Sequence, residues 1–141
     1  MDAAMRKPLR LTRPEPTEAA VLDAVRCSLR LHPAVAWVER INTGAAMVGE
    51  GARRRFVRFG FKGCADLIGQ LRDGRFLAVE TKRPSNRNGA TEEQMAFLCR
   101  VRNGGGIAFV AWSVDEAWKQ IDAAFTQTAS PTNPQPEKDR P

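Results

Sequence analysis

A chain of 141 residues, 43% hydrophobic and 27% charged, can bury one sizeable core and has room for a single domain. Its 22 Lys and Arg against 16 Asp and Glu give a formal charge of +6, a balance suited to phosphate-bearing partners. No apolar run approaches the roughly 18 residues of a membrane span, and the N-terminus lacks the apolar core of a signal peptide. Cys27, Cys64 and Cys99 lack paired spacing, which argues against a disulfide framework or a thiolate zinc site, so a cytoplasmic protein is expected.

Seven of the nine prolines fall at positions 8, 14 and 16 or from 131 onward. This predicts a disordered basic arm over 1–16, a folded domain over 17–126 and a disordered Pro-rich tail over 127–141. Thr17 is placed to cap a helix with Glu18, Val21, Leu22, Val25 and Leu29 on one face, ending near His32-Pro33. Glu18 heads that stripe, either as a first-turn acid complementing the helix dipole or as a third acid pointing into a site. Val35 to Asn42 reads as a strand, and Thr43 to Gly51 as a Gly-rich connection.

The next segment, about Arg54 to Phe61, reads as a strand. Arg53, Arg54, Arg55, Arg58 and Lys62 lie there among Phe56, Val57, Phe59 and Phe61, which suggests an apolar side and an arginine-bearing side. Such a strand is either a charged edge that resists aggregation or a surface for nucleic acid.

Cys64 to Leu71 and Arg75 to Lys82 read as two further strands about an Arg72-Asp73-Gly74 turn, and Phe76, Ala78, Glu80 and Lys82 share one face. A two-residue Asp73-Gly74 turn would set Leu67 opposite Glu80 and send Asp66 to the other face. A three-residue loop with Gly74 left-handed pairs Leu71 with Arg75 and sets Asp66 across from Glu80; this register is the expectation. Carboxylates so placed repel each other unless a cation lies between them, and oxygen ligands suit magnesium or manganese. The alternative is a solvated strand edge with a surface ion pair, but the apolar run Phe76 to Val79 marks an interior strand, where charges are less easily dismissed.

Arg83 to Ala90 is a loop. Thr91 to Gln94 has capping-box spacing and opens a helix through about Val101, stopped by Gly104-Gly105-Gly106. Gln94 either closes that first turn or faces the carboxylates. Ile107 to Trp112 is a buried-type strand, and Ser113 to Glu116 opens a last helix bearing Val114, Ala117, Trp118, Ile121 and Phe125. Of the five strands so read, four are expected in one mixed sheet flanked by helices, an α/β fold with a core in the order αβββαβα and with the Glu80 and Ile107 strands parallel. One histidine excludes a histidine-rich metal cluster, and no Ser-His-acid order, GxxxxGK loop or GxGxxG after a strand is present.

The segments Gly63-Cys64-Ala65-Asp66-Leu67-Ile68-Gly69, Gly74 to Pro84, Glu93 to Leu98 and Gly105 to Val110 resemble the VRR-NUC branch of the PD-(D/E)XK nuclease superfamily, over about Glu18 to Ala117. The resemblance implies a restriction-endonuclease-like core and an enzyme that hydrolyses DNA phosphodiester bonds with Mg2+ or Mn2+. It implies Asp66, Glu80 and the Thr81 carbonyl as metal ligands, Glu18 as a further acid, and Lys82 and Gln94 as catalytic residues. Ala65 replaces the proline for which the superfamily is named, at a position that is not a ligand. The resemblance further implies a standalone phage or bacterial type, homodimeric and selective for branched or junction DNA in replication, repair or recombination, an endonuclease rather than an exonuclease. Arg53, Arg54, Arg55, Arg58, Lys62 and Arg83 are the expected DNA contacts. The rival reading is a non-catalytic nucleic-acid-binding module on the same fold.

Overall fold

The computed structural model describes residues 12–41, 44–58 and 60–127. The expected ends over 1–16 and 127–141 lie largely outside these residues. Besides a short 3-10 helix at Gly51–Arg53, nine α-helices and β-strands are described: α1 (Glu18–Leu31), β1 (Val35–Arg40), β2 (Ala45–Val48), β3 (Arg55–Arg58), β4 (Leu67–Leu71), β5 (Phe76–Thr81), α2 (Glu92–Asn103), β6 (Ile107–Ala111) and α3 (Val114–Gln127).

Four strands form a mixed sheet in the order β1-β4-β5-β6, antiparallel except for the parallel β5-β6 pair. The parallel pair follows from α2, which carries the chain back between two strands running the same way. Two helices cover one face and one the other. Val21, Leu22, Val25 and Leu29 of α1 and Ala117 and Ile121 of α3 close over Leu67, Leu71, Leu77, Val79 and Phe109. On the opposite face Leu98 of α2 meets Ala65, Ala78 and Ala108, whose small side chains let the helix approach the strands closely. Trp118 and Phe125 also pack against the larger core, so the apolar stripe of α3 is used within the chain.

His32 ties the layers at one end. Its Nδ1 accepts from the Ala34 amide at 3.1 Å, which makes Nε2 the protonated nitrogen of the neutral ring, and Nε2 lies 3.1 Å from Asp122 Oδ1 on α3. The ring packs edge-on against Trp118 with centroids 4.5 Å apart.

The β4-β5 register is the one that the three-residue loop requires. Leu67 pairs with Val79 and Gln70 with Phe76, the Leu71 amide donates to the Arg75 carbonyl at 2.9 Å, and Gly74 has φ +91°. Continued one step, this register sets Asp66 opposite Glu80.

Several boundaries differ from expectation. β4 begins at Leu67, so Asp66 precedes the strand, and β1 ends at Arg40. β1 also carries a bulge between Val35 and Trp37. The expected connection over 43–51 contains β2, a strand of four residues between Gly44 and Gly49; its alanines are poor strand formers, and the pairing with β3 supplies what propensity does not. β3 covers only Arg55–Arg58 and stands with β2 in a separate two-stranded sheet. Strict alternation also removes the expected split into apolar and arginine sides, because it puts Arg55 with Val57 on one face and Phe56 with residue 58 on the other.

Candidate active site

Burial makes Glu80 unusual. It sits near the end of β5, the strand flanked by β4 and β6, and is 1% exposed. Its Oε1 lies 2.7 Å from Lys82 Nζ and accepts from Gln94 Nε2 at 2.5 Å. Its Oε2 is buried without a hydrogen bond. Burial, followed by the charge of Asp66, pushes the Glu80 carboxyl up to about 7 despite the opposing pull of Lys82.

Asp66 is held by the residue after Glu80. Its Oδ2 accepts from the Thr81 amide at 2.9 Å and from Thr81 Oγ1 at 2.8 Å. Thr81 therefore presents an N–H and a hydroxyl to Asp66, whereas Glu80 is held by Lys82 and Gln94. The hydroxyl was not foreseen, because Thr81 is out of phase with Glu80 and points away from that face of a regular strand. Asp66 precedes β4 and escapes the alternation that binds residues inside a strand.

Lys82 is 8% exposed. Burial alone would lower its pKa, but the hydrogen bond and charge of Glu80, joined by Glu18 and Asp66, hold it above the ordinary lysine value. Glu18 Oε1 lies 3.5 Å from Lys82 Nζ. The acid of the first helix therefore reaches the site through the lysine. Thr17 sets it there by capping α1 and accepting from the Ala20 amide at 3.2 Å.

Gln94 combines the two alternatives left open by its position. Thr91 and Gln94 form a complete capping box: the Thr91 amide donates to Gln94 Oε1 at 2.8 Å and the Gln94 amide to Thr91 Oγ1 at 3.3 Å. With Oε1 engaged by the cap, Nε2 is the atom left to donate, and it meets Glu80. Buried Cys64 lies near the same carboxylates; burial and then the charges of Glu80 and Asp66 raise its thiol pKa, so it stays protonated and unreactive.

The basic residues divide. Arg53, Arg54, Arg55 and Arg83 are exposed. Lys62 is exposed but pairs with Glu93 at 2.5 Å, so it also clamps the loop to α2. The side chain of Arg58 lies outside the described residues.

A divalent cation fits this chemistry in part. The buried, unsatisfied Glu80 Oε2 and the neighbouring Asp66 supply hard oxygen donors. Among the described residues no three His, Cys, Asp or Glu side chains converge as a complete cage, so two carboxylates must be supplemented by backbone or water oxygen. A scan against protein-family models finds no match, and no curated protein matches the chain.

Proposed function

We propose that the chain is a metal-dependent DNA nuclease of the VRR-NUC type, with a restriction-endonuclease-like core, that hydrolyses phosphodiester bonds. One observation carries the reading: a buried glutamate with a free oxygen stands across from a second carboxylate, beside a buried lysine. Lys82 balances one of these negative charges, but a structural ion pair has no use for the second, which raises the cost of burying Glu80. A site for a cation and a phosphate accounts for all three groups.

Asp66, Glu80 and the Thr81 carbonyl would hold Mg2+ or Mn2+, which supplies Lewis-acid polarisation of the scissile phosphate and a water of lowered pKa. Thr81 fixes Asp66 through its amide and hydroxyl. Gln94 fixes Glu80 by donating to its Oε1. Lys82 Nζ donates to Glu80 in the free site and is the cation available to donate to phosphate oxygens as charge builds there. Arg53, Arg54, Arg55 and Arg83 suit sequence-independent backbone contacts, and branched DNA cut internally is the substrate this reading favours. A homodimer, the other expected partnership, would need a surface other than the apolar stripe of α3, which is buried within the chain.

The test is cleavage of forked, four-way and linear DNA with and without Mg2+ or Mn2+. Asp66→Asn, Glu80→Gln and Lys82→Ala should each lower cleavage by at least about a hundredfold and leave the fold intact. Cleavage by Glu80→Gln at the wild-type rate in magnesium sinks the assignment. DNA binding with no cleavage in either metal points instead to a binding module.

A further inference from the structure

The β2-β3 ribbon is unusual for a small soluble domain. Among the described residues it pairs only with itself, antiparallel, with Met47 opposite Phe56 and Val48 opposite Arg55. Met47 is 53% exposed and Phe56 62%, so two large apolar side chains stand side by side in solvent. A two-stranded ribbon of this length is marginal on its own, and its exposed apolar pair calls for a partner.

The ribbon is rooted at the candidate active site at both ends. It joins the end of β1 to the residues before β4, and there the Ile41 amide donates to the Asp66 carbonyl at 2.8 Å. On the return side Phe61 packs edge-on against Phe97 of α2 with centroids 5.1 Å apart. Gly63, with φ +84°, lies so close to α2 that a Cβ would fall 2.5 Å from the Glu93 carbonyl oxygen. The described residues that flank the ribbon in sequence, Ile41 before it and Phe61 to Gly63 after it, are therefore anchored on Asp66 and on α2, and each ribbon strand is about 13 Å long at the usual rise per residue.

Charge identifies the occupant. Between residues 44 and 62 Glu50 is the sole acid, against Arg53, Arg54, Arg55, Arg58 and Lys62. Phe56 shares its phase with exposed Arg54 rather than with Arg55, and an exposed ring in an arginine-rich segment is the combination that holds unpaired nucleotides, with the ring taking a base face and guanidinium groups taking phosphates. Paired bases stacked within a duplex offer no free face. A second copy of the chain fits poorly, because a two-fold contact through this patch would bring two copies of the same arginine-rich segment together in like charge.

We propose that the β2-β3 ribbon is a stacking platform for unpaired nucleotides, which seats the single-stranded part of a branched DNA on Phe56 and Met47 beside Asp66 and Glu80. The proposal rests on the nuclease reading for the use of the site, but its test does not depend on cleavage. Binding is measured in EDTA to a short single strand, a blunt duplex and a fork carrying 2-aminopurine in its unpaired arm. Wild type should bind strand and fork more tightly than blunt duplex and quench the fluorophore. The double variant Met47→Ala/Phe56→Ala should lose about tenfold or more on strand and fork, keep its duplex affinity and fail to quench, whereas Phe56→Trp should retain both signals. Both side chains are exposed, so these variants should unfold at the wild-type temperature.

Equal affinity of wild type and double variant for all three DNAs overturns the proposal, as does an equal loss on all three. If the double variant instead turns a dimer into a monomer in sedimentation with DNA binding unchanged, the surface belongs to self-association. Failure of the nuclease reading would show separately, as a wild type that binds the fork in this way yet cuts nothing in magnesium or manganese. A wild type that binds none of the three DNAs overturns both.

Discussion

Glu80 sets the pH behaviour of the site. Its carboxyl stays protonated up to about pH 7 in the fold, held there first by burial and then by Asp66, but only through the ordinary carboxylate range when the chain is unfolded. Between those limits the folded chain binds the extra proton, so the stability of the metal-free protein should decline as pH rises from about 4.5 to about 7. Metal must displace that proton, so affinity for Mg2+ or Mn2+ should rise through the same window and level off above it. Calorimetric titration across pH 5 to 8 checks this, with proton release seen as a dependence of the heat on buffer; Glu80→Gln should abolish both the slope and the release. That Asp66, Glu80 and Lys82 belong together was legible because a turn residue set the register, whereas the capping box left Gln94 between closing its own helix turn and facing the carboxylates. The role of the Thr81 hydroxyl was not, because alternation gives no sign that an acid lying before a strand will bend to meet a residue of the opposite phase.

Helix and strand identities followed from caps and turns wherever both ends of an element carried a signal. Thr17, Thr91 and Gly74 mark α1, α2 and the β4-β5 loop, and each performs the part that its residue type suggests. Ser113 caps α3 by accepting from the Glu116 amide at 3.2 Å, but the Glu116 side chain accepts from the Trp112 amide rather than closing the box on Ser113. β2 stayed hidden, since four residues between glycines carry no periodicity and only their pairing with β3 makes them a strand. The capping box of α2 should have a chemical as well as a structural effect. Thr91→Val removes the hydroxyl that accepts from the Gln94 backbone amide and should cost about 1 kcal/mol of stability, while cleavage falls further than that loss explains, because a frayed first turn loosens the Gln94 side chain that the Thr91 amide orients toward Glu80. Thr91→Ser keeps the hydroxyl and should recover both. Chemical denaturation and single-turnover cleavage on the same variants separate the two effects.

The fold class, with its four-stranded mixed sheet, could be inferred from the order of elements, because a helix between two buried strands forces a parallel pair. The detachment of β2 and β3 from that sheet could not, since nothing in a strand's own residues names its partner. Among the described residues no helix is long and apolar enough to cross a membrane. The place of β5 within the sheet has a consequence for how different parts of the molecule open. β5 is bonded on both edges, its residues 77–81 are all buried, and α1 and α3 cover one face while α2 covers the other. Its amides should exchange with solvent deuterium only when the whole domain unfolds, whereas those of β2 and β3 should exchange through local opening many times faster. Hydrogen-exchange mass spectrometry on the free protein would show both classes, and DNA that settles on the ribbon should slow the second without changing the first. The groups proposed for chemistry would then ride on the most persistent part of the molecule, and those proposed to select the substrate on the part that opens most readily.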